Sequence, residues 1–317
     1  MKIVFLGTPG FAVPSLDILV KNNYEVVGVI TAPDKPAGRG QSLQISEVKK
    51  YAFDHHLNVM QPEKLSDPNF IEELKKLNAD LQIVVAFRML PEKVWMMPPL
   101  GTFNLHGSLL PQYRGAAPIN RAIMNGEVET GVTTFFLQHE IDTGKIIFRQ
   151  ALPILSDENA GEVHDKMMIA GAELVLKTVK AIEQNEVKEI PQSDFITSTT
   201  FLKSAPKIFR EDCKLDFSKT ILDLHNQVRG LSPFPGAFFE IRREDGTVFP
   251  VKVFKTAIEP AGTVLSHEII ITDKNSIKVS VADGFLHLLE LQIPGKKRMT
   301  AADLLRGFKF DASWVVI

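Results

Sequence analysis

An amide and an imidazole stand two residues apart at Asn104 and His106, within Asn104-Leu105-His106-Gly107-Ser108-Leu109-Leu110-Pro111. Side chains alternate faces along an extended segment, so these two point the same way. Gly101-Thr102-Phe103 leads in as a strand, and Gly107 and Pro111 break the run into a loop. The pair therefore falls at a strand's carboxyl end, where open α/β sheets build their sites. An amide donor can hold an oxyanion, and an imidazole can move protons near neutral pH. Asp142, in Glu140-Ile141-Asp142-Thr143-Gly144, arrives from a separate loop and could orient the imidazole. The three groups make a candidate site for acyl transfer. An isolated histidine is more often structural than catalytic. Asn104, the Gly107 break and Asp142 set His106 apart, whereas His139 lacks comparable partners and is expected to be structural.

These groups need a scaffold, and the surrounding pattern supplies one. Ile3 to Leu6, Val26 to Ile30, Leu81 to Ala86 and Phe103 to His106 read as strands. Helical spacing recurs over Val13 to Asn22, from about Ser46, over Phe70 to Leu77, and over Ala160 to Glu183. Such β-α-β alternation predicts a mostly parallel sheet with helices on both faces. Thr130 to Gln138 and Lys145 to Leu152 read as further strands on either side of the Asp142 turn, and Pro118 to Asn125 as a short helix. The stretch Gln184 to Pro206 turns polar and irregular, as a linker would.

Beyond the linker the pattern changes. A helix over Ile221 to Arg229 precedes short strands at Ala237 to Ile241, Phe249 to Lys255, Gly262 to Val264, Ile269 to Ile271, Ser276 to Val281 and Phe285 to Gln292. Short strands at this spacing suggest a small β-barrel of OB-like type.

Composition narrows the classes. A length of 317 residues suits two domains, and a net charge of −2 carries no global nucleic-acid signature. Any basic surface must be local; from Lys203 onward Lys and Arg outnumber Asp and Glu by 17 to 14, against 19 to 24 before it, a mild asymmetry towards the second part. The single cysteine, Cys213, excludes an intramolecular disulfide and a cysteine metal cluster. No run approaches the roughly 20 apolar residues of a membrane span, and a cytoplasmic protein is expected. Gly7-Thr8-Pro9-Gly10 follows the first strand without G-x-G-x-x-G spacing, so no dinucleotide site is specified.

Two cationic segments could meet an anionic partner. Pro33-Asp34-Lys35-Pro36-Ala37-Gly38-Arg39-Gly40 is either a solvated connection or a lid using Lys35 and Arg39 on phosphate. Gly295-Lys296-Lys297-Arg298 is either a solvated turn or a phosphate contact. In Tyr113-Arg114-Gly115-Ala116-Ala117-Pro118 small residues permit close approach of a ligand.

Together with Phe5-Leu6-Gly7-Thr8-Pro9, Val228-Arg229-Gly230-Leu231-Ser232-Pro233-Phe234-Pro235-Gly236-Ala237 and Gly295-Lys296-Lys297-Arg298-Met299-Thr300, these motifs resemble the methionyl-tRNA formyltransferase family over nearly the whole chain. The Asn104, His106 and Asp142 set alone specifies only the wider 10-formyltetrahydrofolate-using superfamily. The resemblance implies an α/β, Rossmann-like formyltransferase domain over 1–188 that binds folate and carries catalysis. A linker over 189–206 and an OB-like tRNA-binding domain over 207–317 follow. It implies formyl transfer from 10-formyltetrahydrofolate to the methionine amine of initiator methionyl-tRNA, by a monomer, with no metal, DNA or membrane involved. Asn104, His106 and Asp142 fall on catalytic positions, the first two donating hydrogen bonds to the formyl oxygen. Ser108, Leu109, Leu110 and Pro111 fall on the folate signature. Arg39 falls on a loop arginine associated with the tRNA acceptor end, with Lys35, Lys296, Lys297 and Arg298 as further tRNA contacts. One departure stands out: the loop Ala86-Phe87-Arg88-Met89-Leu90-Pro91 lacks the family's Tyr-Gly pair and is one residue shorter. Phe87 and Arg88 are the expected folate neighbours there. Competing readings are a formyltransferase acting on an amino sugar nucleotide and a non-catalytic RNA-binding protein.

Overall fold

Ile3, Val4, Phe5 and Leu6 are fully buried, as a strand covered on both faces requires. The computed structural model describes residues 1–37, 42–262, 269–271, 275–310 and 314–317. In chain order the first elements are β1 (Lys2–Gly7), α1 (Val13–Lys21) and β2 (Glu25–Ile30). Then come β3 (Lys35–Ala37), β4 (Ser42–Gln44), α2 (Glu47–Asp54), β5 (Val59–Met60) and α3 (Pro68–Lys76). β6 (Leu81–Val85), α4 (Glu92–Trp95), β7 (Thr102–His106), β8 (Arg114–Gly115) and α5 (Pro118–Met124) follow. β9 (Glu129–Phe136), β10 (Ile146–Pro153) and the long α6 (Ala160–Glu183) come next. The short α4 and β5 carry too few residues to show a period, and the sequence did not announce them.

Two compact units divide the chain. One comprises Met1–Gly115, Thr130–Pro153 and His164–Ser204; the other comprises Ala116–Glu129, Ile154–Val163 and Ala205–Ile317. The first unit holds a seven-stranded Rossmann-like sheet in the order β10-β9-β7-β6-β1-β2-β5. The run from β7 to β5 is parallel throughout, and β9 joins β7 antiparallel. On one face Phe70 and Leu74 of α3 share a core with Val4, Leu6, Ile30 and Val84. On the other, α6 approaches so closely that a Cβ on Gly171 would come 2.7 Å from Leu105 Cδ2. Leu105 therefore faces α6, and by strand alternation Asn104 and His106 face away from it. Gly7 ends β1 for a steric reason. A Cβ there would lie 2.7 Å from Ala12 Cβ and 3.2 Å from the Val85 carbonyl.

After β11 (Ser204–Ala205), the second unit contains α7 (Ile221–Leu231) and an antiparallel sheet. Its strands are β12 (Ala237–Arg242), β13 (Val248–Pro260), β14 (Ile269–Ile271), β15 (Ile277–Val281), β16 (Gly284–Gln292), β17 (Met299–Thr300) and β18 (Val315–Val316). The order is β14-β15-β16-β13-β12-β18, with β17 added to β16 and α8 (Ala301–Gly307) following it. Register shifts between Val253 and Thr256 bulge β13 against β16, which bends the pair. The expected OB-like barrel takes the form of a curled half-barrel. Leu224, Val228 and Leu231 of α7 share its core with Phe239, Val251, Val279 and Leu288. Of the strand expected over Gly262 to Val264, Gly262 is a bend, and Thr263 and Val264 lie outside the described residues. Among the described residues no helix is long and apolar enough to cross a membrane.

Segments distant in sequence complete the second unit through backbone carbonyls. Asn120 donates its side-chain amide to Gly230 O at 2.7 Å, and the buried Arg229 guanidinium reaches Glu158 O at 3.2 Å. His225 lies in the same region, with Nδ1 2.9 Å from Thr256 Oγ1. Burial pushes its pKa down, and the neighbouring Arg229 adds to this; the Ser156 backbone bond and Asp157 work against it. A histidine harder to protonate when folded leaves the unfolded state binding more protons as pH falls. Stability is then fully present above the unfolded value of 6.5 and is lost as pH drops towards the folded one. Urea unfolding followed between about pH 7.5 and 5 should show a steeper loss for the native chain than for His225→Gln. Parallel curves would contradict this.

Candidate active site

β7 delivers its carboxyl end beside that of β6, because Val85 pairs with Leu105. His106, the last residue of β7, is buried at 6% exposure, while Asn104 is half-buried. The Asn104 side chain makes no hydrogen bond among the described residues and is open to a ligand. His106 Nε2 lies 2.9 Å from Tyr113 O. A carbonyl can only accept, so Nε2 carries the hydrogen and donates it. In the neutral ring Nδ1 is then the lone-pair nitrogen, and it faces Asp142 Oδ2 at 3.9 Å. The same carboxylate oxygen accepts the Gly115 backbone N–H at 3.0 Å.

Bringing Asp142 to this place takes more than a loop of the right length. β9 runs antiparallel to β7, and its last residue, Phe136, pairs with Phe103 at the end of β7 remote from His106. The following loop must fold back to reach the imidazole. Asp142 adopts a left-handed φ of 55°, rare outside glycine. Gly144 packs against Phe136, where a Cβ would collide with the Phe136 carbonyl oxygen. Gln192 donates its amide hydrogens to Asp142 O at 2.8 Å and Gly144 O at 2.9 Å. Its Oε1 accepts from Arg114 Nε at 3.0 Å and Nη2 at 2.7 Å. Nothing in the sequence singled out Gln192, which sits in the polar stretch that reads as a linker.

The loop after His106 is fixed by its own side chains. Ser108 Oγ donates to Gln112 O at 2.6 Å, and Thr133 Oγ1 donates to Ser108 O at 2.6 Å while accepting Leu110 N–H at 3.1 Å. Leu110 packs with Phe135 and Ile146, Pro111 is buried after a cis peptide bond, and Leu109 lies over Gly131. In this segment the side chains of Ser108, Leu110 and Pro111 are turned to holding the loop. Gln112 and Tyr113 are tied to the irregular segment at Phe201 and Lys203.

The other residues singled out by sequence are distributed more widely. Phe87 is partly buried against the α3 core cluster, and Arg88 donates to Glu63 O at 2.7 Å and to Pro62 O. Lys35 is exposed just beyond a loop base where Asp34 is bonded to Lys49 and Gln61; those bonds, Lys49's first, hold the Asp34 carboxyl below the usual range. Arg39 lies outside the described residues. In the second unit Lys296 and Lys297 are exposed, whereas Arg298 pairs with Glu290 at 2.5 Å and covers the Phe254 ring at 4.6 Å. His139 Nε2 lies 3.3 Å from Glu92 Oε1, and its exposed ring sits edge-on to Trp95.

The sequence matches the formyl transferase family over residues 1–179 and that family's C-terminal domain over residues 207–309. With a mostly parallel sheet carrying an amide, an imidazole and a carboxylate at its end, the chain belongs to the formyl transferase family. It is 54% identical over 309 residues to methionyl-tRNA formyltransferase of Bacteroides fragilis, covering 97% of this chain and 95% of that protein. Its identity to the methionyl-tRNA formyltransferase of Phocaeicola vulgatus is 55% over 315 residues, covering 98% and 96%. Among solved structures, the N-formyltransferase from Helicobacter canadensis, in complex with folinic acid and dTDP-3-aminofucose, superposes with a TM-score of 0.65 at 24% identity. That match covers 91% of this chain and 98% of the other. A sugar 3N-formyl transferase, solved with dTDP and 5-N-formyl-THF, gives 0.64 at 22% identity, covering 94% and 99%. At such identities these two share the fold.

Thr133 is fully buried and serves two backbone groups of the Ser108 to Pro111 loop. Thr133→Val keeps its shape and leaves both without a partner, which should cost about 1–3 kcal/mol in urea unfolding. A change near zero would show that the hydroxyl does not hold this loop.

Proposed function

We propose that this enzyme transfers the formyl group of 10-formyltetrahydrofolate to the α-amine of methionine on initiator methionyl-tRNA. The observation that carries the reading is identity above 50%, over nearly the full length, to proteins named methionyl-tRNA formyltransferase. The sugar N-formyltransferases resemble the chain in fold at under 25% identity, so an amino sugar nucleotide is the weaker acceptor. We assign 1–188 as the folate-binding catalytic part, 189–206 as the linker and 207–317 as the tRNA-binding part, in a monomer working in the cytoplasm. Ser108 to Pro111, with Phe87 and Arg88, are assigned to the folate. Lys35, Arg39, Lys296, Lys297 and Arg298 are assigned to the tRNA.

Roles for the three central groups follow from their hydrogen bonding. The methionyl amine attacks the formyl carbon, a carbon–nitrogen bond forms, and negative charge develops on the formyl oxygen. Asn104, whose amide has no partner among the described residues, donates to that oxygen. Such a donor is worth about 3 kcal/mol in the transition state. His106 Nδ1, its lone pair exposed by the Nε2–H bond to Tyr113, takes the proton that the amine releases. Asp142 stands 3.9 Å away with the negative charge that the resulting imidazolium needs. Once protonated, Nδ1–H becomes a second donor to the oxyanion. It then returns the proton to the folate nitrogen as the bond from that nitrogen to the formyl carbon breaks. The chain of transfers needs no covalent enzyme intermediate.

Asn104→Ala and His106→Ala should each stay folded and lose at least about a hundredfold in turnover. Near-normal turnover in either would remove these residues from the chemistry. For the substrate, the decisive assay is formyl transfer from 10-formyltetrahydrofolate to charged initiator tRNA and to charged elongator methionine tRNA. Selective formylation of the initiator is expected; transfer to neither, with transfer to an amino sugar nucleotide, would overturn the assignment.

A further inference from the structure

We infer that Gln192 is a positioning residue for the formyl transfer, acting through Asp142; this rests on the proposed role of Asp142. Its amide makes four hydrogen bonds, all within the first unit. Both hydrogens go to carbonyls of the folded-back loop, at Asp142 and Gly144, and the oxygen takes two donors from Arg114. The amide's orientation is fixed by its partners, because carbonyls only accept and a guanidinium only donates. Gln192 is 4% exposed, so its own end of each bond is shielded from water.

The two things that Gln192 joins are the two flanks of the site. Arg114 lies between Tyr113, whose carbonyl receives His106 Nε2–H, and Gly115, whose N–H donates to the Asp142 carboxylate. The amide thus closes a circuit running from imidazole to carboxylate and back through its own side chain. The segment bearing it is itself anchored. Ile190 and Ile146 exchange backbone hydrogen bonds at 2.8 and 2.9 Å, and Phe195 packs against the core of Leu110, Phe135 and Ile146. The Phe195 ring also lies 4.4 Å under the Arg149 guanidinium. The antiparallel β9 delivers the Asp142 loop at the wrong end of β7, so something must hold the returning chain. Gln192 grips it at the carbonyl of Asp142 itself and again two residues on, at Gly144.

The test is a double-mutant cycle between Gln192→Leu and Asp142→Ala, read as kcat and KM in the formylation assay with melting curves alongside. Gln192→Leu should lower kcat by about 10- to 100-fold, the scale of an ångström misplacement, with KM for either substrate changed by less than about twofold. In the Asp142→Ala background the same change should cost less than about twofold, since the residue it positions is gone. Should Gln192→Leu fail to fold, Gln192→Glu keeps the acceptor for Arg114 and loses both donors to the loop; the same pattern is expected. An undiminished loss in the Asp142→Ala background, or full kcat in the folded single variant, would overturn the inference. If Asp142→Ala alone is harmless, the proposed role of Asp142 fails instead, and with it the inference that depends on it.

Discussion

Everything at the candidate site depends on one short piece of backbone, Tyr113 to Gly115, which touches both ionisable groups from opposite sides. Its carbonyl at Tyr113 takes the hydrogen of His106 Nε2, and its amide at Gly115 donates to Asp142. The first bond selects the tautomer and so decides which imidazole nitrogen carries a lone pair. The second fixes the carboxylate oxygen that faces that nitrogen. Main-chain groups suit this task, because their directions follow from a folded loop and not from rotamer choice. Tyr113 itself sits at a φ of 59°, a conformation the surrounding bonds must maintain.

That constraint explains features of the first unit that have no evident role alone. The loop after β7 is held by Ser108 and Thr133 and by the burial of Leu110, so it presents the Tyr113 carbonyl at a set place. The segment after α6 returns to the sheet at Ile190 and supplies Gln192. The half-buried Asn104 keeps hydrogen-bonding capacity that no described residue takes up, as an oxyanion donor must before substrate arrives. Under the proposed function, the site is rigid where protons move and open where charge develops.

Much of this was legible in the sequence, for local reasons. Alternation along β7 put Asn104 and His106 on one face, and the continuous apolar runs gave the parallel sheet. Asp142 could be named as a carboxylate on a separate loop able to orient the imidazole, and through the family resemblance. What escaped depends on contacts across long stretches of chain. Gln192 meets partners 48 to 78 residues away, and no spacing rule connects a glutamine to two carbonyls. Likewise, the Tyr113 to Pro118 stretch was read for the smallness of its residues, whereas its main-chain groups make the decisive bonds. The second unit's recruitment of Ala116–Glu129 and Ile154–Val163 is equally non-local, resting on bonds such as Asn120 to Gly230. Arg298 shows the converse: its cation was legible, but not its pairing with Glu290 over Phe254.

The tautomer of His106 tests the central claim most directly. Nitrogen-15 NMR of the imidazole side chains, with His106 assigned through a His106→Gln variant, distinguishes a protonated ring nitrogen from one bearing a lone pair. With the ring neutral, the account predicts a single tautomer, with Nε2 protonated and Nδ1 not. A protonated Nδ1, or rapid averaging between the two nitrogens, would contradict it.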